Sequence, residues 1–235
     1  MNELNAMIRR LAAIGLACTA AGAFAADPSQ FSDAERQLFV RPHLERLTPP
    51  VRLHYRYERR GTIEPEATDD AVVSLGGEGG ARTASVRYLS DDRKLELPSI
   101  DSVAGNPVVL YFLEREVREL KRLTGGSVSF YRNRIRKALA GEAMVRETQV
   151  SYDGRSVKAT EIRIDPYVDD PARSRFEKFA ERYYVMVLSP EIPGEVYRMK
   201  AELKGSAGTP EAGRILHSET LVFDRQDGGQ ARRDQ

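Results

Sequence analysis

Residues 51–58 alternate without a break: Val51, Leu53, Tyr55 and Tyr57 are apolar, and Arg52, His54, Arg56 and Glu58 are polar. A period of two sets one face against a core and the other in water, so this segment predicts a half-buried strand. Shorter runs at 71–75, 83–89 and 94–97 read the same way, with the glycine-rich 76–80 as a hairpin turn between the first two. The pattern changes at Asn106. Asn106 suits a helix N-cap and Pro107 the first helical position, and Leu110, Leu113, Val117 and Leu120 recur at helical spacing. Arg115 and Glu119, and Glu114 and Arg118, stand four apart and are expected to pair on the outer face of that helix. Gly125-Gly126 ends it, and a second helix is predicted over 127–140, with Tyr131, Ile135, Ala138 and Leu139 inward.

Strands resume at 144–152 and 156–164 around the two-residue turn Asp153-Gly154. A short helix carrying Phe176 and Phe179 is expected to open at Asp170-Pro171. The run 183–188 is apolar on both faces and predicts a strand covered on both sides. Tyr197, Met199, Ala201 and Leu203 alternate with Arg198, Lys200 and Glu202, and a last strand is expected over 215–223. Upstream, a helical lead over 27–47 starts at a capping box, Ser32 with Glu35. The sum is an α+β fold with a single curved antiparallel sheet, half-barrel-like, of about nine strands, and a central helix pair packed on one face. No internal repeat or linker divides 26–224, and the polar 225–235 reads as a disordered tail.

The first 25 residues are expected to be an address rather than structure. Arg9 and Arg10 precede an apolar run that closes on Ala23-Phe24-Ala25, the small-x-small pattern of a secretory signal peptide. Met7 offers a more compact start than Met1. Cys18 is the only cysteine and lies inside the apolar run; lipoprotein anchoring there is disfavoured because Gly15 stands where a branched apolar residue is preferred. Cleavage after Ala25 would leave a periplasmic chain with no thiol, no membrane span and equal numbers of acids and bases. The whole chain has 36 Lys+Arg and 35 Asp+Glu in 235 residues, with 41% hydrophobic residues. That balance excludes a disordered chain and argues against nucleic acid as a partner.

Catalytic motifs are missing. There is no Gly-x-Ser-x-Gly elbow, and the three histidines, His43, His54 and His217, have no metal-ligand spacing. The reading is therefore non-enzymatic, without cofactor or metal. The acid pairs Asp69-Asp70, Asp91-Asp92 and Asp169-Asp170 are read as turn residues. The strongest local anomaly is 121–140, with six basic residues and no acid. It reads either as a patch for an anionic partner, such as a lipid headgroup or an acidic protein surface, or as a solvated outer face whose acids come from neighbouring strands. If the sheet curves over a cavity, Tyr55, Tyr57, Tyr197 and Met199 would line it, and Arg132 and Arg136 would stand near its mouth.

The run from Asn106 to Arg115, continued by 123–126 and by 131–136, resembles a block in a group of exported proteins of Gram-negative bacteria that carries no assigned activity. In pattern only, strands interrupted by helices after a signal peptide also resemble the LolA/LolB-type periplasmic lipoprotein carriers. That resemblance implies a half-barrel with helical lids and an acyl-chain cavity, and it transfers no residue roles. The expected function is binding of an apolar or amphipathic, lipid-like ligand between sheet and helices. The alternatives are an envelope protein-protein interaction or assembly factor without a cavity and, third, an enzyme built around His54 or His217.

Overall fold

The computed structural model describes residues 30–77, 83–97, 100–101 and 105–229. The expected signal segment, Cys18 and the choice between Met1 and Met7 lie outside them. Nine strands form one open antiparallel sheet: β1 (Val51–Gly61), β2 (Ala67–Gly76), β3 (Thr83–Tyr88), β4 (Ile100–Asp101), β5 (Met144–Tyr152), β6 (Arg155–Ile164), β7 (Tyr183–Leu188), β8 (Val196–Lys204) and β9 (Ile215–Gly228). Their spatial order is β4-β3-β2-β1-β9-β8-β7-β6-β5, so the first and second halves of the chain meet where β1 pairs with β9. The α+β architecture expected from the pattern is the one observed.

The sheet is strongly curled. The ring of Tyr152 on β5 lies 6.0 Å from that of Phe223 on β9, although β6, β7 and β8 separate the two strands. In a flat sheet that separation would be about 19 Å. The curl also brings the Tyr197 hydroxyl on β8 within 3.4 Å of the Ser151 carbonyl on β5.

Two helices fill the concave side, α2 (Val108–Thr124) and α3 (Val128–Gly141), preceded in the chain by the short α1 (Asp33–Glu35). Asn106 Oδ1 accepts the Val108 N–H at 3.1 Å, so the predicted cap forms. Gly125 ends α2 at φ +74°, where its N–H reaches the Lys121 carbonyl, and a Cβ on Gly126 would lie 2.6 Å from the Tyr131 hydroxyl. The two glycines thus allow both the left-handed stop and the close return into α3. Ser32 forms the expected capping box with Glu35, and its hydroxyl also donates to the Leu139 carbonyl on α3 at 2.7 Å.

Asn106 is a junction as well as a cap. Its side-chain amide donates to the Tyr55 hydroxyl at 2.8 Å and to the Gly194 carbonyl at 2.9 Å, and its backbone N–H donates to His43 Nδ1 at 3.0 Å. Asn106→Ala removes the cap and strands two buried acceptors. Equilibrium urea unfolding is expected to show a loss of about 3 kcal/mol.

Several boundaries differ from the pattern reading. No strand forms at 94–97. The Asp69 carboxylate gathers the Ser90 N–H, the Ser90 hydroxyl and Arg93, which winds 91–93 into a short turn of 3-10 helix and moves β4 on to 100–101. Asp69 and Asp70 themselves lie within β2 rather than at a turn. The helical lead reduces to α1 and a wide turn over Arg36–Val40. Around Phe176 and Phe179 only the 3-10 turns Arg173–Arg175 and Glu177–Glu181 form. The sheet continues past Phe223: residues 225–228 extend β9 and pair with 51–54 of β1.

Candidate functional site

The concave face changes character along the strands. At one end its inward side chains are apolar: Leu53 and Tyr55 of β1, Leu188 of β7, Met199 of β8, and Leu221 and Phe223 of β9. Towards the other end the same inward rows continue as Arg59 on β1, Glu219 and His217 on β9, and Arg182 just before β7. Helix α2 is graded to match. Val108, Val109 and Phe112 occupy its first turns, and Arg115, Glu116, Glu119 and Arg122 its last.

The ionic end is a buried lattice. Arg182 is fully buried. Its Nε and Nη2 donate to Glu116 Oε2 at 3.0 and 2.6 Å, and its Nη1 lies 2.8 Å from His217 Nδ1. Arg115 donates to Glu119 at 2.7 Å and comes within 3.5 Å of Glu219. Arg122 reaches from the surface to both Glu119 and Glu64, and Arg59 pairs with Glu64 at 3.2 Å. The expected i,i+4 pairs of α2 therefore exist, but Glu114 and Glu119 are buried rather than on an outer face. A single apolar stripe hides this arrangement, because the arginines that make burial tolerable come from α2 itself, from α3 and from Arg182 just before β7.

Burial pushes the Glu116 carboxyl up to about 8; Arg182 opposes the shift and the neighbouring Glu219 adds to it. Burial would also raise Glu119, but hydrogen bonds and charge from Arg122 and Arg115 hold it below the usual carboxylate range. Burial, aided by Arg182, lowers His217 to about 4. Several polar atoms in the lattice have no hydrogen-bond partner: Tyr57 and Tyr88 hydroxyls, Arg115 Nε, Glu116 Oε1, His217 Nε2 and both Glu219 carboxylate oxygens. Native interiors leave few such atoms, so their gathering between α2 and the sheet requires a reason.

Glu64, Glu119 and His217 bring one donor atom each to within 4.8 Å of one another, a spacing in reach of a metal ion. The chemistry of the donors does not fit one. An arginine N–H cannot accept, so the Arg182 contact makes His217 Nδ1 the acceptor and leaves the imidazole proton on Nε2, the atom facing the carboxylates. Arg59, Arg115 and Arg122 already engage both glutamates. The cluster is an ion-pair lattice.

Of the residues expected to line a cavity, Tyr55, Tyr57 and Met199 come together on the concave face. All three are at most 1% exposed. A side chain so covered borders no space wide enough for water, so the helices fill the space over these residues and the expected cavity is not seen there. Tyr197 shares the inward face of β8 and is half-buried. Arg132 is tied to both carboxylate oxygens of Glu114 at 3.0 Å, joining α3 to α2, and Arg136 is exposed on α3. Arg122, Arg132, Arg134 and Lys137 of the basic run meet Glu64, Glu114, Asp170 and Glu142, acids of helices and connections rather than of the neighbouring strands expected. His54 of the polar strand face meets Asp227 at 2.7 Å. The pattern reading missed Arg182, Glu116 and Glu219. For Arg182 the one sequence signal is a charged residue that continues the apolar row of Tyr184, Met186 and Leu188.

No helix among the described residues is long and apolar enough to cross a membrane. No protein-family model and no curated protein matches the sequence. Among solved structures, the chain is similar to the Mycobacterium tuberculosis lipoprotein LppX at 14% identity and a TM-score of 0.31, over 83% of this chain and 90% of that one. It is similar to a LolA superfamily protein of Nitrosomonas europaea at 11% identity and a TM-score of 0.22, over 78% and 90%. A third likeness, at 9% identity and a TM-score of 0.23 over 78% and 86%, is to an outer membrane lipoprotein-sorting protein domain of Vibrio parahaemolyticus. At these scores the likenesses assign no residue a role.

Proposed function

We propose that this protein binds a lipid-like amphiphile between the concave face and α2, with the apolar part over Tyr55, Met199 and Phe223 and the polar part towards Arg182 and Glu219. The single observation behind this reading is the lengthwise division of the concave face into an apolar and an ionic end. A core built only for stability would gain nothing from buried ion pairs over apolar side chains of similar volume. Binding requires α2 and α3 to move away from the sheet together, since Arg132 and Glu114 hold them to each other. The N-terminal signal pattern of the sequence supports a periplasmic site for this binding.

Native mass spectrometry of protein purified from the periplasm, followed by organic extraction, tests the reading. The expected result is a co-purifying lipid mass, or uptake of one from vesicles. A clean apo mass that persists after incubation with vesicles would overturn it. The need for movement has its own check. With Glu64→Cys and Arg122→Cys joined by a short cleavable bis-maleimide, α2 is tethered to the β1–β2 connection. Uptake is expected to fall at least tenfold and to return when the linker is cut.

A further inference from the structure

The ionic end holds two opposite charges on the sheet side, and each is met from α2 by the residue next in sequence to the other's partner. Arg182 faces Glu116, and Glu219 faces Arg115. Arg182 and Glu219 are fully buried. The guanidinium is held from the sheet side by His217 Nδ1, so its bidentate edge stays aimed at the place of the Glu116 carboxylate whether or not α2 is there. His217 stands between the two charges, with Nε2 4.0 Å from Glu219 Oε1, and this keeps them from collapsing onto each other. Glu219 is the poorly served member. Its nearest cation, Arg115 Nη2, is at 3.5 Å, and neither carboxylate oxygen accepts an N–H hydrogen bond.

When α2 leaves, Arg182 loses the carboxyl oxygen it donates to and Glu219 loses its cation, while Arg59 and Glu64 keep each other. An anionic ligand would answer Arg182 and leave Glu219 buried and unpaired. A cationic ligand would do the reverse. A ligand carrying both charges answers both, and a primary ammonium brings the several N–H donors that Glu219 lacks.

We infer that the ionic end recognises a zwitterionic headgroup, with Arg182 binding a phosphate and Glu219 a primary ammonium, and that Glu116 and Arg115 of α2 hold those two places in the closed form. This rests on the amphiphile reading above and adds the class of headgroup.

The test compares three single-chain lipids of equal acyl length by displacement of a fluorescent probe from the full mature chain. They are lysophosphatidylethanolamine, its N-acetylated form, which keeps the phosphate and loses the ammonium, and an uncharged monoacylglycerol. The ethanolamine lipid is expected to bind at least tenfold tighter than either of the others. Glu219→Gln is expected to abolish its advantage over the N-acetylated form. Equal binding of all three would overturn the headgroup inference while the amphiphile reading stands. Equal binding of the two phosphates, both above the monoacylglycerol, would also overturn it, leaving an anion site at Arg182 alone. Binding of none of the three would count against the amphiphile reading itself. Circular dichroism of the Glu219→Gln protein confirms that a lost preference is not a lost fold.

Discussion

Arg182→Met is expected to lower the unfolding free energy by about 3–5 kcal/mol, the cost of leaving one member of a buried pair alone. The substitution keeps most of the side-chain length but takes three donors from two buried acceptors, Glu116 Oε2 and His217 Nδ1. Glu116 then keeps a buried carboxyl oxygen without a donor beside the Glu219 carboxylate. Urea unfolding at neutral pH measures the loss. The double variant Arg182→Met with Glu116→Leu is expected to recover most of it, because two apolar groups need no partner in that space. Non-additivity of this size is what a direct pair requires, and a double-mutant cycle reads it without assigning either residue a private energy. A single-variant loss below about 1 kcal/mol would mean that water reaches the pair and that α2 does not seal the ionic end.

The same substitutions separate folding from function. If the buried ions served stability, the double variant would be a poorer protein. If they serve as exchangeable partners for a ligand, it would be as stable as the parent and would have lost its preference among headgroups. An apolar seam would close just as well but could not be opened by offering charges a better partner.

How much of this was legible beforehand differs from element to element. β1 declares itself, because its inward and outward residues differ in polarity at every step from Val51 to Glu58. The inward side of β9 does not. Its two rows, Ile215, His217, Glu219, Leu221, Phe223 and Leu216, Ser218, Thr220, Val222, are each half polar, and only pairing of Arg59 with Glu219 across β1 and β9 fixes which faces the core. Helix α2 was legible as a helix and misleading as a surface. Its i,i+4 pairs are the usual mark of an outer face, yet the chain buries Glu114, Glu116 and Glu119 because Arg132, Arg182 and Arg122 come to meet them. Tyr55, Tyr57 and Met199 were correctly grouped by parity, since packing follows period two. Whether they line a space or fill one depends on how far α2 descends, which no local pattern encodes.

Stability is expected to be greatest near pH 6.5 and to fall on both sides. Two buried histidines set the acid limb. His43 is lowered to about 4 by burial, against the opposing Gln37 carbonyl, and His217 is lowered to about 4 by burial and Arg182. Geometry gives the same sign. His43 Nε2 lies 2.7 Å from the Gln37 carbonyl and its Nδ1 takes the Asn106 N–H, while His217 Nδ1 takes an Arg182 N–H, so a second proton on either ring would point at a donor. Between pH 4 and 6.5 the unfolded chain binds more protons at these sites than the native one, and stability rises with pH there by up to about 3 kcal/mol per histidine. Glu116 acts oppositely. Raised to about 8, it keeps its proton in the native state from about pH 4.5 upward while the unfolded chain has lost it, so its contribution declines as pH rises through that window. Glu64 and Glu195, raised by burial, add to that decline just above the ordinary carboxylate range. Below pH 6.5 the two histidines outweigh these carboxyls, and above it Glu116 acts without them. Thermal unfolding across pH 4–9 measures the curve. His43→Gln is expected to remove roughly half of the acid limb and to leave the alkaline limb in place, and Glu116→Gln the reverse. An acid limb unchanged by His43→Gln would assign it to His217 and the Glu119 carboxylate of the ion-pair lattice instead. Opening of the helices at low pH would then begin at the ionic end, not at the histidine beneath Asn106.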